Sequence, residues 1–418
     1  MRLTTARRLG GGICLALLPV LSASAAAPAP PAPQPPETVP QMLEFDWAAG
    51  PPMPQGMQDN HVEILGRWMV SAGGFCSGSD RDWKPEVYPR GFLDKVWALD
   101  LRAPANGWKA LPPLPGAPRQ AMHGAIAGGA LYVWGGFSYS APYTYKDGYR
   151  LRHAEGQWTW DTLPELPHPT AWGATCAIGP RIYTCGGADY DRKRFHTDTS
   201  RDGAVARYGA LLHVLDTRRL KEGWKELRPC PGTPRCLAGL AAARGKIYLV
   251  GGVAAPAGQT ALCNVVDSWR YDPGADAWER LRDLPISGSG STATNHNLYQ
   301  DRYLILPCGY QYGTYLEPDG KVAPKYGTPS TVERAWKSHP KFEDTHYYNH
   351  CYVYDLETGL YGTATDLPFD DVASVTLVHQ DTVYILPGET AGFEWKGQYY
   401  GHHPEFVLKG TISVCDWQ

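Results

Sequence analysis

Charge is scarce in this chain of 418 residues: only 19% are Asp, Glu, Lys or Arg, and 39 basic residues nearly cancel 42 acidic ones. Such a balance removes the electrostatic footing of a non-specific nucleic-acid binder. Past the first 30 residues no apolar run is long enough to span a bilayer, so no membrane insertion is expected there. Familiar chemical signatures are missing too. The chain has no G-x-S-x-G elbow, Walker loop or zinc-finger spacing, and the acid-rich SGSDRD at 77 to 82 lacks calcium-loop spacing. Neither a metal nor another cofactor is expected. What is present is 46 Gly, 37 Pro, 15 Trp and 25 Tyr, turn formers mixed with strand-favouring aromatics, which points to many short strands.

The start reads as an export signal. Arg2, Arg7 and Arg8 precede an apolar run from Leu9 to Leu21, and Ala23-Ser24-Ala25 supplies an A-x-A-like cleavage site. Removal near Ala25 would leave a more acidic mature chain, periplasmic or secreted, opening on a stiff proline-rich spacer over 26–41. Of ten cysteines, all but Cys14 would enter an oxidising compartment. Cys176 with Cys185, and Cys230 with Cys236, are spaced for local bridges; buried free thiols are the alternative.

Self-similarity organises the rest, 42–418. Short apolar strands end in Gly-Gly or a degraded copy: MVSAGG at 69, LYVWGG at 131, IYTCGG at 182, IYLVGG at 247, LILPCG at 304 and VYILPG at 383. Each is followed by a variable insert, by a strand such as VWALDL or CYVYDL, and in five copies by an aromatic strand closing in Leu-Pro or its equivalent, as in WKALPPLP from Trp108. These residues resemble kelch repeats, and the resemblance implies an all-β fold, a six-bladed β-propeller. The sixth copy lacks its last strand. Phe45 to Ala48 is the expected replacement, closing the ring with an N-terminal strand and removing an open sheet edge.

The inserts all follow the second strand of a blade and so build up one face of the disc, where ligand sites are expected. Twelve residues before the Gly-Gly stand His61, His123 and His296, at the start of the innermost strand in blades one, two and five. Zinc binding by all three is not expected, because blades two and five face each other across the channel. Arg119 and Arg235 lie in the matching segments GAPR and GTPR and suggest a fork for a carboxylate. The inserts and their surroundings carry aromatic and acid/base groups, among them Trp172, Tyr190, Tyr208, Tyr312, Glu389, His402 and His403, a palette suited to stacking on sugar rings.

FLDKVWALDL with WKALPPLP is similar to the bacterial N-acetylneuraminate epimerase (sialate mutarotase) family. That resemblance implies acid/base opening of an acidic sugar ring, with His123 and Glu389 as acid/base candidates and Arg119 and Arg235 as carboxylate anchors. A second reading is a polysaccharide lyase acting on uronate chains, using Asn295-His296 with Tyr190 or Tyr208. A third is a propeller that binds a glycan or protein without turnover. The expected ligand is accordingly an acidic mono-, oligo- or polysaccharide, with His61, Asn295, Tyr312 and Trp172 lining its site.

Overall fold

Each repeat alternates apolar runs with glycine-containing turns, and this local chemistry makes strands: β-branched and aromatic side chains pack on a pleat while glycine reverses the chain. The computed structural model describes residues 39–76, 78, 89–190, 209–254, 263–284, 296–307, 309, 314–316, 322–324, 349–386 and 388–417. Six four-stranded antiparallel sheets follow one another along these segments. Their innermost strands are His61–Leu65, His123–Ala127, Ala174–Ile178, Gly239–Ala243, Leu298–Tyr299 and Val375–His379. From blade five through blades six, one, two and three to blade four, successive innermost strands pack on one another around a common axis, so the architecture is a six-bladed β-propeller. No helix among the described residues is long and apolar enough to cross a membrane.

The outermost strand of the sixth sheet is Leu43–Ala49, slightly longer than Phe45 to Ala48, and it pairs with Leu408–Val414 in continuous register. Apolar layers fill the gaps between blades. Val62 and Ile64 of blade one meet Val375 and Leu377 of blade six, while Val70 and Ala72 meet Leu131 and Val133 of blade two.

Outer-strand tryptophans stitch the rim. Their indole N–H groups donate backwards to the carbonyl segment that closes the preceding blade: Trp47 to Asp366, Trp108 to Pro51, Trp160 to Pro112 and Trp278 to Arg228. The Gly-Gly pairs do the same work near the axis. Gly74, Gly136 and Gly187 donate to the carbonyls of Arg119, Thr170 and Arg235 in the following blade at 2.8–2.9 Å. A side chain on Gly135 would stand 2.1 Å from Thr170 O, which is why this crossing takes glycine.

The disulfide expectation is corrected. Cys176, Cys185 and Cys230 are free thiols, so neither the Cys176–Cys185 nor the Cys230–Cys236 bridge forms. Cys176, Cys185 and Cys230 lie in one apolar cluster between blades three and four, where they serve as small core side chains.

Candidate functional site at the channel mouth

Where the chain enters the innermost strand of blades one to four, it bridges to the residue just after the Gly-Gly of the same blade: Gln58 to Phe75, Gln120 to Phe137, Ala171 to Ala188 and Cys236 to Val253. In blade six the same contact is Asp371–Val372 paired with Glu389–Thr390. The root of each of these inserts is thereby pinned beside the channel.

One residue further on, Asp59, Ala121, Trp172, Leu237 and Ala373 all adopt positive φ, between 51° and 57°, a region non-glycine residues seldom occupy. A chain of peptide hydrogen bonds holds them there. Asp59 N donates to Ala373 O, Ala121 N to Asp59 O, Trp172 N to Ala121 O and Leu237 N to Trp172 O, at 2.8–3.4 Å. These five residues form a collar around the insert-side mouth, and among them Asp59 alone ionises.

Asp59 is 4% exposed. Its Oδ2 accepts from Gln120 Nε2 (3.1 Å) and Gln58 Nε2 (3.3 Å), whereas Oδ1 has no hydrogen-bond partner. Burial lifts its pKa from 3.8 to about 7; Gln58 and Trp172 pull it down and the nearby negative charge of Glu389 pushes it up. A carboxyl with a pKa near neutrality thus stands buried at the mouth, its Oδ1 shielded from solvent. Glu389, at the root of the blade-six insert, lies with its Oε1 3.7 Å from His402 Nε2 and 3.9 Å from His403 Nε2. His403 Nε2 in turn reaches Gln58 Oε1 at 2.8 Å. His403, Gln58 and Asp59 are therefore one hydrogen-bonded series.

A second ionisable group lies inside the channel. Fully buried Glu63 of blade one bonds His296 Nδ1 of blade five, and its Oε1 stands 3.7 Å from His61 Nε2. Burial and the nearby His296 hold the His61 imidazole below its ordinary range, against the pull of Glu63. His123 faces away from this group, toward blade three. Its Nδ1 lies 2.8 Å from Thr175 Oγ1 and 3.2 Å from Thr184 Oγ1, and burial pushes its pKa down to about 3. His61 and His123 do open innermost strands, as their common spacing predicted, but only His61 and His296 share a group. His123 is a neutral ring in a blade-to-blade contact.

The arginines do not join the histidines. Arg119 makes a bidentate pair with Asp147, donates to the carbonyls of Ala117 and Gly135, and stacks over Tyr145. Arg235 repeats the arrangement with the Asp267 carboxylate and the carbonyls of Thr233, Gly251 and Asp267. With exposures of 1% and 0%, both guanidiniums are occupied within the fold rather than presented to an anion.

Trp172 and Tyr190 do meet at the mouth, rings 5.3 Å apart and both packed on Phe137. Tyr208, Asn295 and Tyr312 lie outside the described residues. Sequence reasoning missed Asp59 and its amide partners Gln58 and Gln120. The signal was within reach: carrying the histidine register back two positions lands on Asp59 in blade one and on Ala121, Trp172, Leu237 and Ala373 in four of the others.

The Kelch motif matches residues 234–285, on a ring of six four-stranded blades. The chain is a kelch-type propeller. This propeller is 22% identical over 329 residues to an N-acetylneuraminate epimerase of Haemophilus influenzae (strain PittEE), covering 72% of this chain and 81% of that protein. A second N-acetylneuraminate epimerase, from Pasteurella multocida (strain Pm70), is 24% identical over 327 residues, 71% of this chain and 81% of its own. A third, from Yersinia enterocolitica, reaches 36% identity over 91 residues, 21% of this chain and 23% of its own. Among solved structures, that of YjhT superposes with a TM-score of 0.57 at 16% identity, covering 88% of this chain and 99% of that one. At that identity the likeness speaks for the fold.

Proposed function

We propose that the propeller interconverts the anomers of an acidic sugar of the sialic acid class, outside the cytoplasm, with Asp59 as its acid/base group. The observation that carries this reading is the collar carboxyl: buried among Gln58, Gln120 and Trp172, and lifted by burial to a pKa of about 7. Similarity to N-acetylneuraminate epimerases supports the substrate class, and the arginine-led apolar segment at 1–25 supports export.

In this reading Asp59 donates its proton to the ring oxygen while the anomeric hydroxyl loses its proton to water and the ring opens to the ketone. Closure from the other face reverses the transfers: the Asp59 carboxylate takes back the proton of the attacking hydroxyl, and water reprotonates the new anomeric oxygen. Gln58 and Gln120 hold the carboxyl in place through Oδ2, and Trp172 offers a ring face at the same mouth. Burial, with a smaller contribution from the neighbouring charge of Glu389, keeps the proton on Asp59 up to neutral pH.

The test is NMR exchange between the anomers of free sialic acid. Wild type is expected to accelerate exchange, with a rate that falls as pH rises through about 7, where Asp59 loses the proton it donates. Asp59→Asn is expected to lose about 100-fold or more in kcat/KM. Exchange no faster than buffer, accompanied by an ultraviolet-absorbing unsaturated product from uronate polymers, would replace this reading with a lyase. Binding of acidic glycans without turnover would replace it with a binding propeller.

A further inference from the structure

The blade-six insert is a short, fully described hairpin whose two ends bring three metal-ligating side chains together. Phe393–Trp395 pairs with Gln398–Tyr400 across Lys396 and Gly397, both at positive φ (48° and 82°), the backbone of a tight hairpin turn. Phe393 stacks on Tyr400 and on Phe369. The open end is tied as firmly. Thr390 N donates to His402 O at 2.9 Å, and Thr390 Oγ1 donates to Gly401 O at 2.7 Å. Glu389 at one end therefore meets His402 and His403 at the other, with one ligand atom of each residue within 4.8 Å of the other two. His402 is 1% exposed and His403 6%.

His402 Nδ1 lies 3.1 Å from Thr390 O. A carbonyl only accepts, so Nδ1 carries the hydrogen, and in the neutral ring the Nε2 lone pair is turned toward the Glu389 carboxylate. A backbone carbonyl that fixes the tautomer of an imidazole is the usual outer support of a metal ligand. The edge of a tetrahedron with bonds of about 2 Å is about 3.3 Å. The Glu389 to histidine separations of 3.7 and 3.9 Å exceed it by tenths of an ångström, within reach of small side-chain rotations.

We propose that Glu389, His402 and His403 bind a zinc-class divalent cation with an open coordination position facing the mouth. Two imidazoles and one carboxylate leave such a position for a ligand. Binding gives up the His403 Nε2–H···Oε1 hydrogen bond to Gln58 and shifts the ring hydrogen to Nδ1, so that the neutral imidazole presents its Nε2 lone pair to the ion. Resting on the function proposed above, the ion would take the carboxylate of the acidic sugar, a task Arg119 and Arg235 are placed too deep and too fully paired to perform. Neither the repeat pattern nor a short ligand motif announces this set, because twelve residues of hairpin separate Glu389 from His402.

The experiment is calorimetric titration of the EDTA-treated full chain with zinc ion, alongside thermal melts. Saturable binding of one ion per chain and a zinc-dependent rise in Tm are expected. His402→Ala and His403→Ala should each weaken binding by more than about 100-fold, beyond what loss of an outer partner alone does. Unchanged Tm of both variants in EDTA would confirm intact folding, with Glu389→Gln a third, nearly isosteric variant should either fail to fold. Absence of saturable binding, or binding that survives in both histidine variants and in Glu389→Gln, would overturn the site. Asp59→Asn separates the two proposals: it should keep zinc binding while losing turnover. Zinc bound by a wild type that turns over no sugar would leave the site standing and sink the mutarotase. A KM for sialic acid that is the same with zinc and with EDTA would remove the anchoring role.

Discussion

At the scale of single residues, position in the ring outweighs residue type. His61 and His123 occupy the same register, yet one borders a buried glutamate and the other is locked by two threonines. His123, held neutral with a pKa near 3, binds fewer protons folded than unfolded between about pH 3 and 6.5. Its contribution to stability is complete above 6.5 and is lost as pH falls through that window. His213, pushed down to about 4 by burial, acts in the same direction. Asp59 works oppositely: its raised pKa means stability is lost as pH rises from about 4 to about 7. Thermal melts from pH 4 to 7 should show the Tm of His123→Asn rising less steeply with pH than wild type, and that of Asp59→Asn rising more steeply. Gly56 carries a different constraint, since a side chain there would meet His403 O at 1.9 Å. Gly56→Ala is expected to displace His403, lowering both Tm and the affinity for zinc ion in the same titration.

At the scale of elements, the arginine segments act as staples. GAPR and GTPR wrap the same way, each Arg bonding the carbonyl two residues back, the first glycine of the Gly-Gly, and an aspartate just before the third strand of its blade. The partners differ in burial: the Asp147 side chain is 29% exposed and that of Asp267 only 7%. Removing Arg235 therefore strands a charge with little access to water, and Arg235→Ala should cost about 3–5 kcal/mol in denaturant unfolding, with Arg119→Ala costing less. Equal losses for the two variants would mean that solvent access to the carboxylate does not set the difference. The collar is another element-scale device, because each member is tied by a peptide hydrogen bond to a neighbouring blade rather than by its own sequence.

At the scale of the whole molecule, the ring is held shut by one strand. Leu43–Ala49 completes the sixth sheet, and Trp47 donates across to Asp366 in blade five. Deleting residues 1–50 would expose the Leu408–Val414 edge, a template for aggregation. That deletion is expected to abolish soluble expression, whereas deletion of 1–38, which leaves the strand intact, is expected to preserve it. Fractionation of cell lysates checks both.

The sequence alone determined the six blades and the start of the first two innermost strands, because both depend on patterns within a few residues: apolar alternation, Gly-Gly turns and a constant spacing from histidine to glycine. Only the tertiary structure decided the chemistry. Arg119 and Arg235 read as anion anchors until Asp147 and Asp267, 28 and 32 residues further on, took their guanidiniums. Asp59 is one ordinary aspartate in sequence, and its raised pKa comes from burial and from Glu389 in the last blade. Repeat architecture is written locally, while burial and charge at the mouth are set by residues that meet only when the ring closes.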